Sequence, residues 1–393
     1  MYLFLLITLG LFAIGDILGI ATKAKLSSVF VALMLFLVGF LTGIIPADII
    51  DQANLTGIGK MSTAFVVFNM GTSVNLSEMK KEWKVVVMSL LAMAVTMLSI
   101  LIISPFIGIQ AALVSIPIVN GGIVATQIMT EAALTKGYAI AAALGTIVFA
   151  VQKFVGTIPA SRCGLSEAKL LVEDYRLNKS KGIDLMNSEV ALSATTEKTK
   201  KVPFYSKYEK YFTGYVTLGV VALFAYIASL IGNITGISLS IWCLILGMTV
   251  NQLGFVPPKI LDKGKSSGLF MVATFCTLIP SLAKISISDL MSLSIQTAAI
   301  FAAALIGCYL TLYLLPTWKF IGSKNLAIGI AMSQLLGFPA TFLIVNEVAT
   351  AVTETEEEKD YVVKKLTPAF VVSGFVSVTT ISILIAGIFA KFV

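Results

Sequence analysis

Long apolar blocks, almost free of charge, alternate with short polar ones along the whole chain. Residues 26–45, 85–130, 211–258, 290–318, 325–346 and 366–390 contain no Asp, Glu, Lys or Arg. A helix rising 1.5 Å per residue needs about 20 apolar residues to cross the hydrocarbon core. The shorter blocks therefore hold one span, and the longer ones two or a span plus a loop. A membrane β-barrel would instead show alternating segments of about ten residues. The pattern predicts an all-α polytopic membrane protein.

Six apolar segments fall in each half: 2–22, 26–45, 61–76, 85–104, 108–135 and 138–160, then 211–232, 237–256, 266–283, 290–315, 325–352 and 366–390. The first lacks a basic start and contains Asp16, so it reads as a span rather than a cleaved leader. Residues 161–210 are polar and mixed in charge, with runs such as Ser193-Ala194-Thr195-Thr196, and read as a linker. The expected organisation is a membrane repeat over 1–160, a linker over 161–210 and a second membrane repeat over 211–393.

The fifth segment of each half is interrupted, by Asn120-Gly121-Gly122 and by Gly337-Phe338-Pro339. Such a segment either crosses as a broken helix or turns back as a re-entrant hairpin. Basic residues decide between these, because they collect on the cytoplasmic side. With hairpins and an external N-terminus, 23 Lys and Arg lie inside, ten of them in the linker. Only Lys60, Lys136, Lys284 and Lys391 lie outside, with Lys153 within a span. Crossing segments would put the linker's ten basic residues outside. The hairpin reading leaves five spans per half, an odd number, so the second half is inverted relative to the first. The expected fold is two inverted repeats of five transmembrane helices plus one re-entrant hairpin each, with both termini outside and the linker cytoplasmic.

Composition agrees: 57% of residues are hydrophobic, 12% are charged, and mean hydropathy is +0.95. The formal charge of +7 resides in short loops between spans, which argues against nucleic acid as a partner. Histidine is absent, so His-metal chemistry, a His proton relay and Ser-His hydrolysis are excluded, and no enzymatic activity is expected. The four cysteines are isolated and outline neither a disulfide framework nor a metal cage.

Backbone groups freed by a break inside the membrane must face protein, water or ligand. Half-helix N-termini offer N–H groups to anions, and carbonyl, Asn and Thr oxygens suit a small cation. The candidate substrate-binding residues are therefore Asn120, Gly121, Gly122, Thr126, Gly337, Phe338, Pro339 and Thr341. Gln152, beside the snorkelling candidate Lys153, joins them as a cavity-lining side chain. Candidate ion ligands are Asn69, Thr72, Ser73 and Asn75 in the third segment, with Glu131, Asn346 and Glu347 from the hairpins. The third segment's counterpart carries Thr274, Cys276, Thr277, Pro280 and Ser281.

The order of these elements resembles the bacterial sodium/glutamate symporter family. The local matches are Asn69-Met70-Gly71-Thr72-Ser73-Val74-Asn75, Asn120-Gly121-Gly122-Ile123-Val124-Ala125-Thr126, and Gly337-Phe338-Pro339-Ala340-Thr341 with Asn346. The family's first hairpin typically reads Gly-Gly-His-Gly-Thr. Here there is no histidine, and an extra residue precedes the threonine. The resemblance implies sodium-coupled uptake of an anionic, glutamate-like amino acid or a small carboxylate. It also implies an elevator-type movement in the cell membrane, often within a homodimer, and no cofactor beyond the coupling ion. The competing expectations are proton-coupled carboxylate transport, a channel or uncoupled pore, and a non-transporting scaffold or sensor.

Overall fold

The computed structural model describes residues 1–21, 28–74, 76–181, 203–337 and 340–393. Asn75, Phe338, Pro339, Lys23, Lys25 and positions 182–202 of the linker lie outside the described residues. Among those described there is no strand. The principal helices of the N-terminal half are α1 (Tyr2–Ala21), α2 (Ser28–Leu41), α3 (Thr56–Ser73), α4 (Trp83–Ile102), α5 (Ile109–Val119), α6 (Ile123–Thr135) and α7 (Ala139–Ser180). Those of the C-terminal half are α8 (Gly214–Thr235), α9 (Leu239–Gln252), α10 (Ser267–Leu282), α11 (Ile287–Leu314), α12 (Lys324–Leu336), α13 (Ala340–Val352) and α14 (Glu356–Phe389). Five of them, α4, α7, α8, α11 and α14, are long and apolar enough to cross a membrane, and several more are shorter apolar helices. The chain is an all-α protein with the helices of a membrane-embedded one.

Both interrupted segments fold as helical hairpins. The α5 and α6 limbs lie side by side on α7. A Cβ built at Gly145 would stand 2.6 Å from Ile118 and 2.9 Å from Val114 on one limb, and 3.6 Å from Thr130 on the other. Those contacts fall at similar chain distances either side of the Gly121-Gly122 turn, as a hairpin requires and a continuing broken helix does not. The second hairpin packs in the same way. Phe370 of α14 lies against Gly329 of α12 and against Gly164 of α7, where Val348 of α13 also touches.

The two hairpins open at opposite ends of the molecule. At the mouth of the first, Lys136 Nζ donates to the Lys391 carbonyl (3.2 Å), and Lys391 Nζ donates to the Gly236 carbonyl (2.9 Å). At the mouth of the second, Ser323 Oγ donates to Glu167 of α7 (2.5 Å), while Arg176 pairs with Glu358 (2.7 Å) and Glu354 (3.1 Å).

Corresponding helices of the two halves run antiparallel where they meet. Gly59 of α3 abuts Ala273 and Thr277 of α10, and further along, Phe65 meets Phe270 with ring centroids 5.0 Å apart. In α4 and α11, Thr96 meets Cys308 at 3.4 Å, and Trp83 meets Phe320 just beyond the helix. In α7 and α14, Tyr175 stacks near Tyr361 at one end, while Gln152 and Ser382 converge on Gly121 further along.

Two features differ from the reading of the sequence. Helix α7 does not stop near residue 160 but runs to Ser180, about 60 Å in all. Its extension buries Gly164, Glu167, Ala168, Val172 and Tyr175, a three-to-four-residue stripe that packs on the second hairpin and the start of α14. The first part of the linker is thus a helix with its own buried face. Helix α14, expected as a plain span, widens into π-helical turns at Pro368–Val372 and Val376–Ile381. Pro368 has no N–H to close the ordinary i to i−4 bond, which favours the first irregularity.

Candidate functional site

The two turns that interrupt the hairpins meet at one side chain. A Cβ built at Gly122 would lie 2.7 Å from Val378 Cγ1, and one at Gly337 would lie 3.2 Å from the same methyl group. Val378 sits in the second π-helical stretch of α14. A Cβ built at Gly121 would lie 2.7 Å from the Cβ of Ser382, one turn further along α14. Leu335 and Leu336, at the end of α12, close on Gly156 of α7. Each hairpin tip is therefore held against the last helix of the opposite half.

The tips are built alike. In each, a threonine four residues past a glycine folds its hydroxyl and its N–H onto that glycine's carbonyl. Thr126 binds Gly122 O with both groups at 3.0 Å. Thr341 binds Gly337 O at 3.3 Å through the hydroxyl and 3.1 Å through the amide. Both threonines are fully buried. Gly337 adopts φ +65° and ψ 177°, a conformation open essentially to glycine alone. Gly122 is extended, at φ −128°, so only the crowding by Val378 requires glycine there.

Around the tips lie side-chain amides whose nitrogens are bound and whose oxygens are not. Asn120 Nδ2 donates to Ile116 O (2.8 Å), Gln152 Nε2 to Gly121 O (2.9 Å) and Gln334 Nε2 to Thr96 Oγ1 (2.8 Å). For Asn120 and Gln152 the acceptor is a carbonyl, which fixes the amide nitrogen toward it and the oxygen away. Asn120 Oδ1, Gln152 Oε1 and Gln334 Oε1 have no partner among the described residues, and all three residues are at most 2% exposed. Each such orphan costs about 1–3 kcal/mol unless a ligand or water meets it. The set is neutral and rich in acceptors, the chemistry that holds a desolvated small cation or an ammonium group.

An anion finds a complement close by. No side chain caps the N-terminus of α6, and its first-turn residues Ile123, Val124 and Ala125 are buried. First-turn N–H groups have no intrahelical acceptor, and the helix dipole adds partial positive charge. The hydroxyl-rich α14 runs beside the tips. Ser373, Ser377, Thr379 and Ser382 bond back to carbonyls of the preceding turn, which leaves their lone pairs available.

Of the residues expected at the site, the structure brings together Asn120, Gly121, Gly122, Thr126, Gln152, Gly337 and Thr341. Phe338 and Pro339 lie outside the described residues, as does Asn75. Asn69 and Thr72 are turned elsewhere. Asn69 Oδ1 accepts the Leu261 amide (2.8 Å) and Thr72 Oγ1 the Ile260 amide (3.5 Å), capping the short helix that follows α9. Ser73 donates to the Asn69 carbonyl (2.9 Å). Glu131 is half-exposed near the first hairpin's mouth, 4.0 Å from Lys60. Glu347 is exposed on the outer face of α13, and Asn346 Nδ2 bonds back to Phe342 O (2.8 Å). These positions belong to the amphipathic outer faces of the hairpin limbs.

Val378, Ser382, Gln334 and Thr96 escaped the sequence reading. Gln334 had a signal, being an amide three residues before Gly337 in an apolar run. The run Ser373 to Ser382 is unusually rich in hydroxyls, but nothing in it marks π-helical geometry.

No protein-family model matches this chain, and a search of the curated proteins returns no match.

Proposed function

We propose that this protein is a secondary active transporter in the cell membrane, and that the paired hairpin tips form its solute site. The observation that carries the reading is the convergence of Gly122 and Gly337 on Val378, beside unpartnered amide oxygens and a buried helix N-terminus. Breaks of this kind in two corresponding helices, meeting in the interior, are how many transporters make a binding site from backbone groups. The antiparallel meeting of α3 with α10, α4 with α11 and α7 with α14 supports two inverted repeats, with ten crossings and two re-entrant hairpins.

The uncharged acceptors of Asn120, Gln152 and Gln334 favour sodium as the coupling ion, since a proton carrier needs a titratable group. The α6 N-terminus favours a carboxylate. Together they support symport of an anionic amino acid or small carboxylate, as in the sodium/glutamate symporter family that the motifs resemble. Alternating access then follows from the hairpin bundle moving against the remaining helices, within a homodimer. The linker faces the cytoplasm, and both termini face outward.

Purified protein in liposomes tests this. A sodium gradient is expected to drive accumulation of a radiolabelled amino or carboxylic acid above equilibrium. A pH gradient alone driving the same accumulation would assign proton coupling, and flux that never concentrates solute would assign an uncoupled pore.

A further inference from the structure

A second recess lies on the outward flank of the first hairpin. Two hollows of about 440 and 350 Å³ adjoin there. They share Lys60 of α3 with Gln127, Glu131 and Thr135 of α6, and the smaller is floored by Thr277 and Pro280 of α10. The Lys60 ammonium and the Glu131 carboxylate stand 4.0 Å apart across the gap, with side chains 65% and 55% exposed. At that separation and exposure the pair contributes little to stability. Between them Gln127 is 2% exposed, and its Oε1 has no partner among the described residues.

We propose that this recess is a separate binding site for an α-amino carboxylate, taken up before it reaches the hairpin tips. As a way station for the transported solute, the proposal rests on the transport reading above. Lys136, which donates to the Lys391 carbonyl, also lines the larger hollow, and Asp51, which accepts from Thr56, lines the smaller. Lys60, Glu131 and Gln127, common to both hollows, offer one cation, one carboxylate and one buried acceptor, which together complement a zwitterion. Lys60 takes its carboxylate, while Glu131 and Gln127 Oε1 take its ammonium. A free carboxylate lacking the amino group meets Lys60 but leaves Glu131 facing it and Gln127 unpartnered. The three shared groups thus discriminate amino acids from plain dicarboxylates before either reaches the tips. Both charged side chains are exposed, so replacing them leaves the fold intact.

The test uses the full-length protein carrying Thr135→Cys, an exposed position on the rim of both hollows, labelled with a membrane-impermeant maleimide. At an amino-acid concentration about nine times Kd, mass action leaves a tenth of the recesses open and slows labelling about ten-fold. L-Glutamate, L-aspartate and L-alanine are the probes, with succinate as the control. Protection is expected from at least one of the amino acids and not from succinate. Lys60→Gln or Glu131→Gln should abolish it, whereas Gln152→Ala, which damages the tips, should leave it intact. Protection by succinate, protection surviving both charge replacements, or no protection by any amino acid overturns the proposal. Protection without gradient-driven uptake would overturn the transport reading alone, and uptake without protection would overturn only the recess.

Discussion

A single methyl group placed at Gly122 tests whether the tight approach of the tips to α14 matters. In Gly122→Ala the new Cβ falls 2.7 Å from Val378 Cγ1, closer than packed carbon atoms come. The glycine's backbone is extended, so alanine fits its dihedrals and the whole effect is steric. Valine is held to few rotamers, and overpacking of this kind costs about 1–3 kcal/mol. Val378→Ala removes the opposing methyl groups and should restore Gly122→Ala to near wild-type stability and uptake. Gly337→Ala behaves differently. It meets the same valine at 3.2 Å and also carries φ +65° with ψ 177°, a strain of about 1–3 kcal/mol that no change at Val378 relieves. Thermal unfolding in detergent and solute uptake in liposomes, measured on the three single and two double variants, read both effects. Wild-type behaviour of Gly122→Ala, or rescue of both glycine variants to the same degree by Val378→Ala, would refute the shared contact at the tips.

Other perturbations address separate parts of the molecule. Gln152→Ala removes the donor to the Gly121 carbonyl and one of the orphan oxygens, so uptake should fall at least ten-fold while Gln152→Glu alters the dependence on sodium concentration. Gly71→Leu should destabilise the protein strongly. Cβ positions built at Gly71 and Gly247 lie 2.5 Å from backbone carbonyls of the facing helix, so α3 and α9 would have to separate. The Arg176 guanidinium donates through two nitrogens to the carboxylate of Glu358, which is 6% exposed, so removing the guanidinium leaves a buried charge without its main partner. Arg176→Gln should therefore lower the thermal unfolding temperature in detergent, and an unchanged temperature would show that the pair does not hold the second hairpin to α7.

The sequence made the hairpins legible because glycine and proline interrupt otherwise unbroken apolar runs, and hydrocarbon tolerates freed backbone only where something else meets it. Gln152 was legible for a similar reason, as an amide inside a span. Asn69 and Thr72 look the same in sequence, yet their oxygens cap the Ile260 and Leu261 amides. A polar side chain in a span serves a ligand or a neighbouring backbone equally well, and only the neighbour decides. Glu131 and Glu347 looked like intramembrane charges because their distance from the tips along each limb does not tell which face they occupy. Val378 was invisible. Its role comes from the π-helical turns of α14 and from the approach of two glycines 256 and 41 positions away in the chain. The start of the linker reads from its polarity as no more than a connection, although its apolar positions recur at helical spacing and pack on the second hairpin.

The proposed site at the two tips holds a solute and a sodium ion together. This is tested most directly by measuring uptake of a radiolabelled glutamate-like amino acid into proteoliposomes under an inward sodium gradient, for the wild type beside Gly122→Ala, Gly337→Ala and Gln152→Ala. Concentrative, sodium-dependent uptake in the wild type that collapses in all three variants is the predicted result. Sodium-dependent uptake that survives substitutions at both tips, or no concentrative uptake of any amino or carboxylic acid by the wild type, would contradict it.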